Sequence, residues 1–352
     1  AMLMLGHRKT AEKEFDERTL QAAADLRCAS TLSLCEKSLI MAGREIPTDR
    51  NEMIRASFSS HTLDVALSNL ATKVMKAAFE AGPQTWRAVG KIVPVQNFHR
   101  HAMVSAITKD SLYKQIGDGG ELKHITVGEE VLEHSADTHG CLLILTRKDI
   151  INDDLNVFAD LQRSVAINAS RTVNSKFWNV LLEAGDDFWV QDKNYFTGSG
   201  QVLSIDALAF AIAVIRNAKD ADGNPIWAEP KQLVVPPALE STALRLINSQ
   251  EIRDNEDGVK YATANPWHSK IEVVVEPLLG SAFGGNDSTW YLVADKEIVP
   301  PMLVSFLNGN DAPTVEPVQL PAERLGVGIR AYLDFGADVG DARGIVKMQP
   351  VE

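Results

Sequence analysis

The sequence predicts an α+β protein with more than one domain. Three observations support this class: a long helical run between residues 155 and 182, strand-like runs between 86 and 146, and alternating helix and strand patterns between 203 and 297. A chain of 352 residues also exceeds the usual size of a single hydrophobic core. Apolar residues make up 45% and charged residues 23%, as in an ordinary folded protein.

The charge balance argues against a protein that grips nucleic acid. The formal net charge is −12, whereas sequence-independent binding to phosphates needs a basic surface. An acidic wall that holds DNA without adhering to it remains compatible with this charge. Cys28, Cys35 and Cys141 are an odd number at unrelated spacings, which predicts buried or half-buried reduced thiols. No apolar run reaches the roughly 18 residues of a membrane-spanning helix, so no contact with a membrane is expected.

The first 97 residues are predicted to contain helices and an extended arm. Residues 8–42 have an imperfect helical pattern, and residues 42–60 mix charge with Pro47 and serines, as an arm or linker does. A second helical stripe runs from Leu63 to Phe79 and ends at Gly82 and Pro83.

Residues 100–146 are predicted to form a long excursion with hairpin character. The turn-rich segment GDGGE lies between extended segments, and the middle of the excursion, ELKHITVGEEVLEHSADTHG, is strongly polar. An isolated two-stranded hairpin is marginally stable at best in water. We therefore expect this excursion to rest on another surface, most simply that of a neighbouring subunit.

The long helix is predicted from one apolar stripe and an acidic start. Asn152, Asp153 and Asp154 supply a cap and negative charge where the helix would begin. A helix of roughly 28 residues would be about 42 Å long. The predicted apolar face contains Leu155, Phe158, Leu161, Val165, Ala169, Val173, Phe177 and Val180.

The residues after this helix are predicted to form a compact α/β domain and then returning strands. A helix is expected from Ser204 to Ala218, with Ser204 or Asp206 as its cap. The segments KQLVVPP, KIEVVVEP and TWYLVADKE are predicted strands, and ALESTALRLINSQ is a predicted helix. DADGNPIW is predicted to be a turn or hairpin loop.

The search for catalytic motifs is mostly negative. The sequence has no dinucleotide fingerprint, P-loop, nucleophile elbow, zinc-protease motif or calcium loop. Cys141 and Ser199 have no general base at a recognisable spacing, and helix capping explains the paired carboxylates Asp153 and Asp154. The densest ionisable cluster is His124, Glu129, Glu130, Glu133, His134, Asp137 and His139. It suits a metal or acid–base site on paper, but strand alternation would split it between two faces, which favours a solvated surface between subunits.

Three runs of the sequence match a known protein family: TWRAVGKIVPVQNFHRHAMV, GDGGELKHITVGEE and HGCLLILTRKDIINDDLNVFADL. Together with the tail segments FLNGNDAPTVEPV and IRAYLDFGADVGDARGIVK, they resemble the major capsid proteins of tailed bacteriophages. Within that family the resemblance is to the subset made as a fusion to a prohead protease, related to the Mu-type major head subunit. The similarity covers roughly residues 43–352, and the motifs are specific in combination.

The resemblance implies the Hong Kong 97-type capsid fold. Its expected segments are an N-terminal arm with leading helices (1–97), an E-loop hairpin with flanking P-domain strands (98–147), the P-domain spine helix (148–194), the A-domain (195–297) and returning strands of the P-domain and A-domain (298–352). The family's acidic E-loop segment falls on Asp118, Gly119, Gly120 and Glu121. The segment that opens its spine helix falls on Arg147, Asn152, Asp153 and Asp154.

The resemblance also implies a structural role, with no catalytic, cofactor or metal residues. Many copies are expected to assemble through pentamers and hexamers into an icosahedral shell that encloses phage DNA without reading its sequence. The expected partners are further copies of the chain, the prohead protease during maturation, the portal and decoration proteins, with assembly in the bacterial host cytoplasm. The protease half of the fusion has no counterpart here, so a chain beginning at Ala1 is interpreted as the mature capsid half.

Two alternatives remain open from the sequence. One is the shell of a cellular nanocompartment with the same fold, which would enclose an enzyme instead of a genome. The other is a soluble metal-dependent enzyme that uses the cluster between His124 and His139. If the excursion mediates assembly, deleting residues 108–140 is expected to leave a folded subunit that does not assemble.

Overall fold

The computed structural model describes residues 16–18, 20–21, 36–40, 42–49, 52–53, 56, 75–104, 116, 131–146, 155–256, 259–318 and 326–351. Its helices are α1 (Trp86–Val89), α2 (Leu155–Glu183), α3 (Ile205–Arg216) and α4 (Glu240–Asn248), with further helical turns at 36–40 and 75–80. The strands up to the middle of the chain are β1 (Gly90–Val95), β2 (His101–Val104), β3 (Val131–His134), β4 (Asp137–Thr146), β5 (Tyr195–Thr197) and β6 (Pro230–Val235). The later strands are β7 (Glu251–Glu256), β8 (Val259–Ala264), β9 (Glu272–Val275), β10 (Trp290–Ala294), β11 (Met302–Leu307), β12 (Thr314–Val318), β13 (Gly326–Val339) and β14 (Ile345–Gln349).

The chain divides into two compact units. The first unit comprises residues 1–83, 138–172 and 310–334, and the second comprises 84–137, 173–309 and 335–352. The α+β class predicted from the sequence is confirmed. None of the helices in the described part is both long enough and apolar enough to cross a membrane.

In the first unit, the early part of β13 is paired on both sides. β12 runs antiparallel to it, with Thr314 opposite Tyr332 and Val318 opposite Gly328, and β4 is its other partner. The first half of α2 packs beside the end of the 75–80 helix. There the Ser170 hydroxyl donates to the Pro83 carbonyl at 2.8 Å. A side chain on Gly82 would come within 2.6 Å of Ser170 Cβ, so this close approach requires glycine.

An aromatic core joins helix and sheet in the second unit. β1 runs parallel to β11, and the last part of β13 pairs antiparallel with β11. The Trp86 ring centroid lies 6.5 Å from that of Phe177 on α2 and 5.8 Å from that of Phe306 on β11. A Cβ on Gly90 would lie 2.7 Å from the Phe177 ring, so the start of β1 has no room for a larger residue.

The second sheet of this unit has the strand order β5-β14-β10-β6-β9. β10 is buried along its whole length because both faces of the sheet are covered. Its residues Trp290, Leu292 and Ala294 belong to the core that contains α3 and α4. Tyr291 points to the opposite face, where its ring lies 5.8 Å from that of Trp189. Since β6 is connected to its parallel neighbour β9 through α4, this part follows the predicted α/β pattern.

The structure corrects the predicted face of the long helix. α2 has the predicted length, but three members of the predicted stripe, Val165, Ala169 and Val180, are only half-buried. Two of the side chains that α2 buries, Ser170 and Asn174, are polar. The buried set is Ala166, Ser170, Val173, Asn174, Phe177, Trp178 and Leu181. The β7–β8 hairpin was not predicted, because its segment EIRDNEDGVKYATA is dominated by charged and polar residues. Both differences arise where polar side chains occupy regular structure.

Candidate assembly surfaces

The assembly residues predicted from the sequence lie outside the described part of the chain. They are Asp118, Gly119, Gly120 and Glu121 of the polar excursion, and Arg147, Asn152, Asp153 and Asp154 before the long helix. Their roles therefore remain predictions. The structure does describe the residues that flank both segments.

The flanks of the excursion form an antiparallel pair. β2 and β3 are in register from His101 opposite His134 to Val104 opposite Val131. The chain therefore leaves this pair after Val104 and returns to it at Val131, as the predicted hairpin excursion requires.

His134 connects the base of this pair to β11. His134 is 4% exposed, and its Nδ1 lies 2.8 Å from the Ser305 hydroxyl on β11. It stacks on the His101 ring with the centroids 5.8 Å apart. Burial lowers the pKa of His134 and the charge of His101 lowers it further, whereas Asp338 raises it. His134 is thus held in a site that disfavours its charged form.

The proposed metal or acid–base cluster does not come together in the residues that the structure describes. His124, Glu129 and Glu130 lie outside them, and no three ligand-type side chains converge among the rest. Glu133 points away from buried His134 and pairs with Arg100 at 2.7 Å on the surface. This is the split between two strand faces that alternation predicted.

α2 contributes Asn174 and Trp178 to a buried polar network that was not predicted from the sequence. Glu276 is 1% exposed, and its carboxylate accepts from Asn174 Nδ2 at 2.9 Å and from the Leu278 backbone N–H at 3.0 Å. The Thr85 hydroxyl lies within hydrogen-bond distance of both Asn174 and Glu276, and it accepts from Trp178 Nε1 at 3.0 Å. Helical periodicity predicts apolar residues on the buried face, so it does not predict a polar network there. The available sequence signal was the polar residue Asn174 between the apolar residues Val173 and Phe177.

The exposed thiol of Cys141 lines an open concavity in the first unit. The expectation that Cys141 is buried or half-buried is wrong, because β4 presents it to solvent. Partial burial nevertheless raises the pKa of the thiol, which opposes the thiolate form that a nucleophile needs. The concavity has a volume of about 530 Å³ and is lined by Thr138, Gly140, Cys141, Leu142, Arg330, Ala331 and Tyr332.

Polar contacts beside this concavity fix its basic residue. Arg330 donates from Nε and Nη2 to one oxygen of Glu316, at 2.8 and 2.5 Å, and the Tyr332 hydroxyl donates to the other at 3.0 Å. These hydrogen bonds, first that of Arg330, hold the pKa of Glu316 below its usual value. The carboxylate therefore stays charged and keeps the guanidinium in place.

The second unit exposes several large apolar side chains, and such side chains scattered singly are normal on a protein surface. They include Val202, Phe210, Trp227, Leu244, Phe283 and Ile298, with Trp227 the most exposed at 67%. Trp227 also has a backbone φ of +55°, a conformation that residues other than glycine rarely adopt. The sequence placed it in a turn but gave no sign of its orientation.

Comparison with known proteins identifies the family. A family model described as phage capsid protein matches residues 129–348, which is more than half of the chain. No curated protein matches the chain significantly. Among solved structures, a phage-related protein from Bordetella bronchiseptica RB50 has a TM-score of 0.48 and 13% identity, covering 78% of this chain and 94% of that one. The virus-like particle from Pyrococcus furiosus has a TM-score of 0.43 and 11% identity, covering 80% and 99%.

The procapsid of bacteriophage JBD30 is similarly distant, with a TM-score of 0.41, 11% identity and coverage of 82% of this chain and 75% of that one. Because these structural similarities are weak, the assignment depends on the family model alone. The matched residues include β3, the long helix α2 and both strands that pair with β13 in the first unit. The chain belongs to the phage capsid protein family.

Proposed function

We propose that the chain is the shell-forming subunit of a phage head and assembles through pentamers and hexamers into an icosahedral shell around DNA. The observation that carries this proposal is the match to the phage capsid family over residues 129–348. The net charge of −12 suits a wall that encloses DNA without binding its phosphates. Its role is structural, because a shell is held together by the contacts between its subunits.

We also propose that the polar excursion, residues 105–130, lies over a neighbouring subunit. The paired strands β2 and β3 flank it in sequence, which supports this role. Membership of the protease-fusion subset, related to the Mu-type head subunit, is supported by the sequence runs quoted above. It brings a prohead protease, a portal and decoration proteins as partners of the shell.

The structure indicates which residues to delete in a test of this role. Removing residues 108–140 would also remove β3 and part of β4, with the buried residues His134 and Ala136. Such a variant would lose core packing as well as the excursion. Because Val104 lies directly opposite Val131, a two-residue Asn-Gly turn can replace residues 105–130 and keep the β2–β3 pair.

We expect this shortened variant to fold but to form no closed particles. Electron microscopy and light scattering would compare it with the unaltered chain, and thermal unfolding would check that it is folded. Shells of normal size from the shortened variant would contradict the overhang. If the unaltered chain forms no capsomers or particles under any assembly condition, the proposed function itself is wrong. Particles that contain an enzyme and no DNA would indicate a nanocompartment instead.

A further inference from the structure

The loop between α3 and β6, residues 217–229, is held by hydrogen bonds to one carboxylate. Asp220 Oδ1 accepts from the backbone N–H groups of Asp222 at 2.9 Å and Asn224 at 2.7 Å, and Oδ2 accepts from Asn224 Nδ2 at 3.1 Å. The Gly223 N–H donates to the Asp220 carbonyl at 3.1 Å. Although desolvation raises it, the pKa of Asp220 is lowered by these hydrogen bonds, so the carboxylate remains charged.

This hydrogen-bonded loop presents Trp227 to solvent. The Ile226 N–H donates to the Ala218 carbonyl at 3.1 Å, and the side chains of Ile226 and Ala228 are buried in the core of the second unit. Trp227 lies between them and is 67% exposed, with a φ of +55°. A residue with a Cβ is strained in this conformation. At this φ the indole lies outside the core that buries its two neighbours.

This exposure sets Trp227 apart from the other tryptophans. The chain has six, and Trp86, Trp178, Trp189 and Trp290 are each at most 6% exposed. Trp267 is partly buried against the core of the second unit. Tryptophan is enriched among the residues that dominate protein interfaces, since a rigid ring buries a large area at little entropic cost. An exposed indole on a hydrogen-bonded loop is therefore suited to anchoring a contact.

The surroundings of the ring restrict the partner. The loop carries three acidic residues, Asp220, Asp222 and Glu229, against one basic residue, Lys219, so its net acidic charge favours a partner surface with a neutral or basic rim. The proposed shell function makes further copies of this chain the partners that the subunit must contact. We propose that Trp227 anchors a contact with a second copy of this chain, inserting into an apolar recess with such a rim. This inference rests on the proposed shell function.

The test uses substitutions that separate contact from folding. Trp227→Gly removes the ring and also relieves the backbone strain, because glycine adopts a positive φ freely. We expect it to unfold at the same or a higher temperature than the unaltered chain, yet to raise the critical concentration for assembly by about tenfold or more. Trp227→Phe should have a smaller effect. Phe283→Ala is the matched control, because Phe283 is 61% exposed but lies at ordinary φ; its effect should stay below about threefold.

Fluorescence gives a readout that does not depend on the stability of the variants. Acrylamide should quench Trp227 strongly in the free subunit and weakly after assembly, with the difference lost in Trp227→Phe. Equal assembly of Trp227→Gly and the unaltered chain would overturn the inference and leave the shell function intact. Unchanged quenching on assembly, or an equal loss in Phe283→Ala, would also overturn it. An unaltered chain that never assembles would overturn both proposals.

Discussion

At the scale of single residues, His134 gives the subunit a pH dependence of known sign. Its pKa is lowered in the folded protein from an ordinary value of 6.5, mainly by burial. The folded state therefore binds fewer protons than the unfolded chain, and stability is lost as the pH falls below about 6.5. Asp338, whose pKa burial raises, acts in the opposite direction but nearer its ordinary value of 3.8.

We expect the melting temperature of the unaltered chain to fall between about pH 7.5 and pH 5.5, and that of His134→Gln to fall less. Thermal unfolding followed by circular dichroism would measure both. His99→Gln is the control, since His99 is exposed. Identical pH profiles for His134→Gln and the unaltered chain would show that the buried histidine is not the group responsible.

At the scale of elements, Asn174 connects α2 to the loop before α1 and to Glu276. Its substitution by leucine would leave the buried carboxylate without one of its donors. We expect Asn174→Leu to lower the free energy of unfolding by about 2–4 kcal/mol, measured by urea denaturation. Asn168→Leu on the exposed side of the same helix should change it by less than about 0.5 kcal/mol.

The losses of unfolding free energy from substitutions in this network should not be additive. In the double variant Asn174→Leu with Glu276→Leu, the unpaired carboxylate is gone, so the loss should be smaller than the sum of the single losses. An additive result would mean that the carboxylate is satisfied without Asn174.

The helices and strands show which parts of the fold can be predicted from sequence. Ser204 was a predicted cap, and it accepts from the Ala207 N–H at 3.2 Å at the start of α3. Such signals are local and survive folding. The burial of Ser170 and Asn174 has another cause: it depends on Pro83 and Glu276, which lie far away in sequence. Helical periodicity contains no information about those distant partners, so the predicted buried face of α2 differs from the observed one.

At the scale of the whole molecule, the charge of −12 makes copies of the chain repel one another. Salt screens this repulsion over about 10 Å at 0.1 M. We therefore expect the critical concentration for assembly to fall when sodium chloride is raised from about 0.05 to 0.5 M. Sedimentation velocity would measure it, with sucrose as a control for solvent activity. A critical concentration that rises with salt would indicate that ion pairs dominate the contacts.

The family was predictable from the sequence, but its assembly surfaces were predictable only in part. The runs around β4 and the long helix pointed to a capsid protein, and the family match over 129–348 confirms that prediction. Trp227 was not predicted, because exposure of a side chain depends on the φ angle and on the residues that pin the loop. The roles of Asp118–Glu121 and of Asn152–Asp154 remain predictions.

The parallel pairing of β1 with β11 has a consequence for synthesis in the cell. Gly90 pairs with Met302, roughly 200 residues later in the chain. At about 5–20 residues per second, a ribosome needs roughly 10–40 s to make that intervening length. The sheet that contains β1 and β11 therefore cannot form on a nascent chain until most of the chain has emerged. A chain that ends before β11 leaves β1 without this partner strand, so incomplete copies cannot form the sheet.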